Sequence, residues 1–235
     1  MDWALPPDLS TQGVVIDRLF WIILAITGIA FLLVEAGILW FAIRYRRRDG
    51  RQALYTHGSK RLEVAWTAAV AVTMVVLGIY SGQLWNELKG REAFAGDAFR
   101  LDVAAKQFEW NITYPGADGR LGNADDFTLR NQLHVPTGEK VIVRLTSEDV
   151  IHSFFVPQLR VKQDAVPGMT TRAWFRATEP GEFELGCAEL CGLGHYRMRA
   201  RVTVHEPEEF RAWMAEHAGG GRQAGTSGAE EKAGA

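Results

Sequence analysis

Two long apolar runs dominate the first third of the chain. The first covers residues 19–43, with Glu35 as its one charged residue, and the second covers residues 64–85 without any charge. A helix of about 20 apolar residues is long enough to cross the hydrocarbon core of a bilayer. The pattern therefore predicts that residues 1–90 form a hairpin of two membrane-spanning helices.

Tryptophan residues lie near the ends of both runs. Trp21 and Trp40 belong to the first run and Trp66 and Trp85 to the second, and each pair is 19 positions apart. At 1.5 Å per helical residue this spacing is about 28 Å, close to the roughly 30 Å of hydrocarbon that interfacial aromatic belts bracket. The alternative is a pair of buried helices in a globular protein, but such helices are usually shorter.

Beyond residue 90 the long runs give way to short ones in which apolar and polar residues alternate. A period of two is typical of strands with one buried face, and Pro-Gly turns separate the runs. The runs cover residues 108–112, 129–135, 141–145, 150–156, 171–177, 182–187 and 199–205. They predict an all-β domain over residues 91–217, an antiparallel sandwich or barrel. A short helix is expected at residues 208–217, and the Gly- and Ala-rich residues 218–235 are expected to be disordered.

The overall composition, 47% hydrophobic with a net charge of -2, is that of an ordinary soluble protein and indicates no nucleic-acid partner. The charge is unevenly distributed, however. Residues 1–43 carry one basic and four acidic residues (-3), residues 44–63 seven and two (+5), and residues 64–235 18 and 22 (-4). Basic residues near the ends of spans stay on the cytoplasmic side, so the basic loop 44–63 predicts both termini and the β domain on the outer, periplasmic side.

Four side chains with soft ligand atoms lie within the sequence CAELCGLGHYRM. They are Cys187, Cys191, His195 and Met198. Two thiolates, an imidazole and a thioether favour copper over hard cations. His152 lies 35 positions before Cys187, and we expect it at the end of a neighbouring strand.

The residues alone leave three other interpretations of the cysteine pair open. A disulfide is common in an oxidising compartment, but it leaves His195 and Met198 unexplained. A structural zinc site would use both cysteines and both histidines, although zinc has little use for Met198. Copper chaperones of the thioredoxin fold also combine Cys-x3-Cys with a histidine, but there the histidine follows the cysteines, whereas His152 precedes them.

The ligand motif resembles the binuclear copper A site of cytochrome c oxidase subunit II. The matching sequences are C-x-E-x-C-x3-H-x2-M over residues 187–198 and SEDVIHS over residues 147–153. The resemblance extends over about residues 15–215 and implies a transmembrane hairpin followed by a cupredoxin-like Greek-key β sandwich. It also implies a ligand set: two bridging thiolates from Cys187 and Cys191, one imidazole per copper from His152 and His195, Met198 as a weak axial ligand, and the backbone carbonyl of Glu189.

The resemblance assigns further roles outside the copper ligands. The side chain of Glu189 would bind magnesium or manganese at the junction with subunit I. Glu63, in a sequence similar to the family's E-x-x-W-T, would mark the entrance of a proton path. The family's aromatic cluster Q-W-x-W is Q-F-E-W here, so Phe108 and Trp110 are the candidates for receiving electrons. No residue of this chain is expected to perform the oxygen chemistry itself.

These features together lead us to expect the copper A subunit of a proton-pumping oxidase in the inner membrane of a bacterium. It would accept electrons from cytochrome c, or from a cytochrome c domain, and pass them to haem in subunit I, where oxygen is reduced. Subunit III would be a further partner, and the haem would belong to subunit I only. The alternatives are the copper A subunit of a nitric oxide reductase and a free-standing membrane-anchored copper carrier. A mononuclear carrier needs a single cysteine, so Cys191 argues against it.

Overall fold

The computed structural model describes residues 5–52, 55 and 57–220. Its contacts divide the chain into two compact units. Among the described residues, one unit lies within residues 15–90, and the other joins residues 5–14 with residues 91–220. This differs from the expected division at residue 90, because the first residues belong with the β domain.

Two helices account for most of the described part of residues 15–90. They are α1 (Gly13–Arg44) and α2 (Lys60–Lys89). Their most apolar windows have mean hydropathies of 2.5 and 2.0, and none of those window residues is buried within the chain. Both helices are long and apolar enough to cross a membrane, which confirms the predicted helical hairpin.

The start of α2 shows why the helix begins inside the predicted loop 44–63. The hydroxyl of Ser59 accepts a hydrogen bond from the Leu62 backbone N–H at 3.5 Å, as an N-cap residue does. Glu63 lies in the first turn, where the helix dipole stabilises a negative charge. The helix therefore includes the last four residues of the predicted loop.

The described residues 91–220 fold into a β sandwich. Its strands are β1 (Phe99–Lys106), β2 (Glu109–Tyr114), β3 (Phe127–Arg130), β4 (Gln132–Pro136), β5 (Val141–Ser147), β6 (His152–Val156), β7 (Val161–Ala165), β8 (Thr171–Phe175), β9 (Gly181–Cys187) and β10 (Arg199–His205). Within this range they form two five-stranded sheets, with the orders β3-β2-β1-β5-β8 and β4-β10-β9-β6-β7. The predicted cupredoxin-like sandwich is confirmed.

The core of the sandwich comes from the alternation that the sequence shows. Every second residue of β1 and β2 is buried, and these side chains meet inward residues of the other sheet in one cluster. The members with no exposed surface include Leu101, Trp110, Ile112, Leu133, Leu185 and Val202. Burial of such large apolar side chains, each contributing about 1.5–3 kcal/mol, holds the two sheets together.

Three details of the strands differ from the sequence prediction. The strand β1 was not predicted although its buried residues alternate, and β7 was not predicted because three polar residues separate its two buried ends. The predicted run 129–135 is two strands in different sheets, since Asn131 adopts a left-handed conformation (φ 57°) that turns the chain between them. The sandwich is also not purely antiparallel, because β1 pairs with β5 and β4 with β10 in parallel.

Residues 9–12 attach the start of the chain to the sandwich. The Thr11 N–H donates to the Arg176 carbonyl at 3.1 Å, and the Thr178 N–H donates to the Leu9 carbonyl at 3.0 Å. The side chain of Gln12 is buried and donates to the Leu159 carbonyl at 3.0 Å. These hydrogen bonds explain why the first residues group with the β domain rather than with the helices.

Helix α3 (Pro207–Gly220) follows the last strand. It includes the predicted helix 208–217 and continues into the predicted disordered segment, of which residues 221–235 lie outside the described residues. Trp213 stacks on the ring of His134 with centroids 4.3 Å apart. His134 Nδ1 is also 2.8 Å from His205 Nε2, so the helix packs on a hydrogen-bonded histidine pair.

This packing predicts that acid destabilises the β domain. Burial, with smaller contributions from His205 and His217, lowers the pKa of His134 from 6.5 to about 4. In the unfolded chain the imidazole takes up its proton at the ordinary pKa, so the unfolded state binds more protons between these two values. Stability is therefore fully present above pH 6.5 and falls as the pH decreases toward about 4.

Thermal unfolding followed by circular dichroism between pH 7 and pH 4, on the full chain in detergent, checks this prediction. We expect the unfolding temperature of His134→Gln to depend less on pH than that of the unchanged chain. His57→Gln, in the loop between the helices, is the matched control and should keep the full dependence. Equal pH dependence in all three chains would contradict the assignment to His134.

Candidate metal centre

Two neighbouring strands bring the predicted ligands together. His152 is the first residue of β6 and Cys187 the last of β9, and these strands pair with Phe154 opposite Cys187. The loop 188–198 then leads into β10, which pairs with the other edge of β9. The pairing of β6 with β9 therefore places His152 at the end of a strand next to the one that ends at Cys187, as predicted.

The ligand atoms lie at distances that suit shared metal ions. Cys187 Sγ is 3.8 Å from Cys191 Sγ and 3.9 Å from His152 Nδ1. Cys191 Sγ is 3.6 Å from His195 Nδ1 and 3.7 Å from Met198 Sδ. Sulfur and nitrogen atoms bound about 2.0–2.3 Å from one tetrahedral metal lie about 3.3–3.8 Å apart. The five side chains therefore form one cluster, and their donor atoms are spaced almost as they would be around bound metal ions.

The cluster is largely buried and its thiols are free. His152 has no exposed surface, and Cys191 and Met198 are 3% and 1% exposed. Both cysteines are unpaired, so the disulfide interpretation is not realised in the structure. Burial, followed by the neighbouring Cys187, raises the pKa of the Cys191 thiol to about 11. Two adjacent thiolates therefore need a cation to compensate them, and a donor set this rich in sulfur fits copper.

Backbone hydrogen bonds fix the loop that carries these ligands. The Cys187 N–H donates to the Met198 carbonyl at 3.2 Å, and the Ala188 N–H donates to the Ser153 carbonyl at 3.0 Å. The carbonyl oxygen of Glu189 lies 3.2 Å from Cys187 Sγ, while its side chain is exposed. Glu189 thus places a backbone oxygen beside Cys187 Sγ, and the residue is exposed to solvent.

The turn between β1 and β2 covers the loop. A Cβ added at Gly194 would lie 2.4 Å from Phe108 Cδ2, and one added at Gly192 would lie 2.8 Å from Gln107 Nε2. Gly192 also has φ +132°, which side chains rarely adopt. These glycines are needed because the ring of Phe108 and the amide of Gln107 pack directly against the loop backbone.

The two candidate electron-receiving aromatic residues differ in exposure. Phe108 is partly buried at the loop, with the guanidinium of Arg197 5.7 Å from its ring centroid. Trp110 has no exposed surface, and its ring centroid is 6.2 Å from that of His152. Among the described residues, Trp110 Nε1 has no hydrogen-bond partner. Phe108 therefore lies nearer to solvent than Trp110. Trp110 lies in the interior, next to the predicted ligand His152.

Sequence reasoning missed two polar residues beside the cluster. Asp149 accepts a hydrogen bond from the ring of His152, and the side chain of Gln107 donates to the backbone carbonyl of Cys191. Burial opposes ionisation of Asp149, but hydrogen bonds from His152, Gln107 and Val150 outweigh it and lower the pKa of this carboxyl group. The Asp-x-x-His spacing was the available signal for Asp149, whereas Gln107 shows its role only in three dimensions.

Glu63 belongs to the helical unit and takes no part in this cluster. It lies on α2 beside Val64, Thr67 and Ala71, which line a shallow groove along the helix. The role expected for Glu63, at the entrance of a proton path, would involve subunit I and not the residues of the cluster.

The chain consists of two apolar helices followed by a cupredoxin-like sandwich. At one end of the sandwich, two thiols, two imidazoles and a thioether lie close together. These features define the class of membrane-anchored copper proteins. Two family models match the chain: "Cytochrome C oxidase subunit II, transmembrane domain" over residues 3–84 and "Cytochrome C oxidase subunit II, periplasmic domain" over residues 103–204. The chain belongs to the cytochrome c oxidase subunit II family, whose members are subunits of a respiratory oxidoreductase complex.

Individual relatives show the same likeness. A cytochrome c oxidase subunit 2 from Thermostichus vulcanus is 35% identical over 89% of this chain and 77% of its own length. An alternative cytochrome c oxidase subunit 2 from Bradyrhizobium diazoefficiens is 34% identical over 90% of this chain and 83% of its own. Among solved structures, the periplasmic domain of cytochrome oxidase subunit II from Bradyrhizobium japonicum is 29% identical, with a TM-score of 0.47, over 52% of this chain and 95% of that one.

Proposed function

We propose that this chain holds a binuclear copper A centre and accepts electrons from cytochrome c for an oxygen-reducing haem-copper oxidase. The observation that carries the proposal is the pairing of ligands in the cluster. Each cysteine has its own imidazole partner, His152 for Cys187 and His195 for Cys191, and the two sulfur atoms lie next to each other. Two copper ions sharing both thiolates would each receive one of these imidazoles.

The remaining ligands would complete the two copper sites. Met198 would be a weak axial ligand on the side of Cys191, and the Glu189 carbonyl would serve the side of Cys187. When bound, the copper pair supplies one-electron redox chemistry. The chain's own contribution is to exclude water through the buried His152, Cys191 and Met198 and to keep the ligands in place when the charge changes.

The charge of residues 64–235 supports the expected electron donor. Residues 64–235 carry 18 basic and 22 acidic residues, and this modest surplus of negative charge suits a basic cytochrome c. Phe108 is the residue proposed to receive the electron, with Trp110 behind it. Subunit I would take the electron onto its haem, and subunit III would complete the complex.

Two carboxylates are proposed to serve subunit I. The exposed carboxylate of Glu189 would bind magnesium or manganese at the junction, since both cations prefer oxygen ligands. The similarity of residues 63–67 to the family's E-x-x-W-T supports a place for Glu63 at the entrance of a proton path, and this residue lies in the first turn of α2. In this way one chain would contribute to both membrane faces of the complex.

We also propose that the chain lies in the inner membrane of a bacterium with both termini and the copper domain outside. The hydrogen bonds of Leu9, Thr11 and Gln12 to the sandwich support this orientation, because they require the start of the chain and the β domain to be on one side. The seven basic residues of loop 44–63 support the cytoplasmic position of the loop.

Turnover by the complex purified from membranes tests the proposed function. We expect it to consume oxygen with reduced cytochrome c as the donor, and to do so far faster than it reduces nitric oxide. Oxygen uptake by an electrode and nitric oxide loss by a nitric oxide electrode give the two rates. Rapid reduction of nitric oxide without oxygen uptake would instead establish the reductase alternative.

A further inference from the structure

Asp149 is the centre of a hydrogen-bond network beside the copper ligands. Its Oδ1 is 2.7 Å from His152 Nε2 and accepts from the Val150 N–H at 2.6 Å. Its Oδ2 accepts from the backbone N–H of Gln107 at 2.7 Å, and Ser147 Oγ lies 3.5 Å from Oδ1. The carboxylate thus joins the β5–β6 loop, the β1–β2 turn and a fully buried imidazole.

The network determines which nitrogen of His152 carries a proton. An ionised carboxylate only accepts hydrogen bonds, so the Nε2 atom facing Asp149 must be the donor. In the neutral ring this leaves the lone pair on Nδ1, the atom that faces Cys187 Sγ at 3.9 Å. Asp149 therefore favours the tautomer in which His152 can bind a metal next to Cys187.

Gln107 links the same carboxylate to the second cysteine. Its backbone N–H is held by Asp149, and its side-chain amide donates to the Cys191 carbonyl at 2.5 Å. The packing of Phe108 against Gly194 reinforces this contact between the turn and the loop. The positions of His152 and Cys191 are thus coupled through three successive hydrogen bonds, by way of Asp149 and Gln107.

His195 has no equivalent support. Among the described residues, its Nε2 atom has no hydrogen-bond partner, and the ring is only partly buried. The two imidazoles of the cluster are therefore different: one is oriented by a carboxylate within this chain, and the other is not.

We propose that Asp149 is a positioning residue of the metal centre, which fixes the Nε2–H tautomer of His152 and, through Gln107, the distance between His152 and the Cys191 loop. This inference rests on the proposed copper site. A carboxylate on the outer nitrogen of a ligating histidine raises the basicity of the ring, and loss of such a partner typically reduces metal affinity about 10–100-fold. Because a more basic ring favours the oxidised metal, loss of Asp149 should also raise the reduction potential.

The tautomer of His152 gives a test that needs no metal. We would label the histidines of the full-length chain with nitrogen-15 in detergent and record their long-range nitrogen–proton couplings before copper is added. The unchanged chain should show His152 as the Nε2–H tautomer, and Asp149→Ala should show a mixture. Asp149→Asn, which keeps the size of the side chain and removes its charge, covers the case in which the alanine variant does not fold and should show a smaller shift in the same direction.

Glu148→Gln is the matched control, because it removes the same charge from an adjacent exposed position that has no hydrogen bond to His152. It should leave the tautomer and the copper affinity unchanged, while Asp149→Ala lowers that affinity about 10–100-fold. A His152 tautomer that is the same in all folded variants, or that shifts equally in Glu148→Gln, would overturn the positioning role. Failure of the unchanged chain to bind two copper ions would overturn the proposed function instead, while the tautomer experiment would still decide the role of Asp149.

Discussion

Replacing Cys191 with serine is expected to abolish the binuclear centre. Cys191 Sγ is close to three other side-chain donors, Cys187 at 3.8 Å, His195 at 3.6 Å and Met198 at 3.7 Å, so its loss affects both halves of the cluster. A serine hydroxyl is a hard, weakly bridging donor that suits copper poorly. We expect the copper content to fall to one ion or none per chain. Electron transfer from cytochrome c should fall by more than about 100-fold, beyond the range for residues that only support ligands.

Met198→Leu is the matched control for this change. Leucine has nearly the same volume as methionine, and such swaps in a core usually cost less than about 1.5 kcal/mol. Since both thiolates and both imidazoles remain, the chain should keep two copper ions and show only a changed reduction potential. Copper analysis and redox titration of both variants distinguish the roles. If Cys191→Ser kept both ions and Met198→Leu lost them, the result would contradict the proposal that Cys191 is essential for copper binding and that Met198 mainly affects the potential.

Replacing Gly194 with alanine is expected to have the second largest effect. The new Cβ would lie 2.4 Å from Phe108 Cδ2, a distance that real side chains do not reach, so the loop or the ring must move. Overpacking of this kind typically costs about 1–3 kcal/mol. Because Gly194 directly precedes His195, the displacement should also weaken copper binding. Thermal unfolding and copper titration of the full chain measure the two effects.

A second substitution distinguishes this steric cause from a general loss of flexibility. Phe108→Ala removes the ring that the new methyl group would meet, so the double variant should recover most of the copper affinity lost by Gly194→Ala. Gly186→Ala is the matched control, because an added Cβ there meets nothing within 4 Å and the residue lies one position before Cys187. Additive losses in the double variant, or an equal loss in Gly186→Ala, would show that the contact with Phe108 is not the cause.

The sequence was sufficient for features that depend on local pattern. The apolar lengths of residues 19–43 and 64–85 determine two spanning helices, because a bilayer sets a minimum length. Alternation identified most strands of the sandwich, since one face of each strand is buried. The spacing of soft ligands in residues 187–198 indicates a copper site from the sequence alone.

Features that depend on contacts between distant segments could not be predicted in this way. Asn131 divides one apparent strand between two sheets, and only its left-handed backbone reveals this. Gln107 is separated from Cys191 by 84 positions, so no local pattern links its amide to the ligand loop. The same holds for Gln12, whose buried side chain donates to the carbonyl of Leu159, 147 positions further along the chain. In each case the residue acts through backbone groups that the sequence does not mark.

Electron paramagnetic resonance of the copper-loaded, full-length chain, combined with copper analysis, tests the central claim most directly. The cluster of Cys187, Cys191, His152, His195 and Met198 predicts two copper ions per chain and a spectrum in which one unpaired electron is shared equally by both copper nuclei. A single copper ion per chain, or the spectrum of a Cu(II) ion with its electron localised on one nucleus, would contradict the proposed binuclear centre.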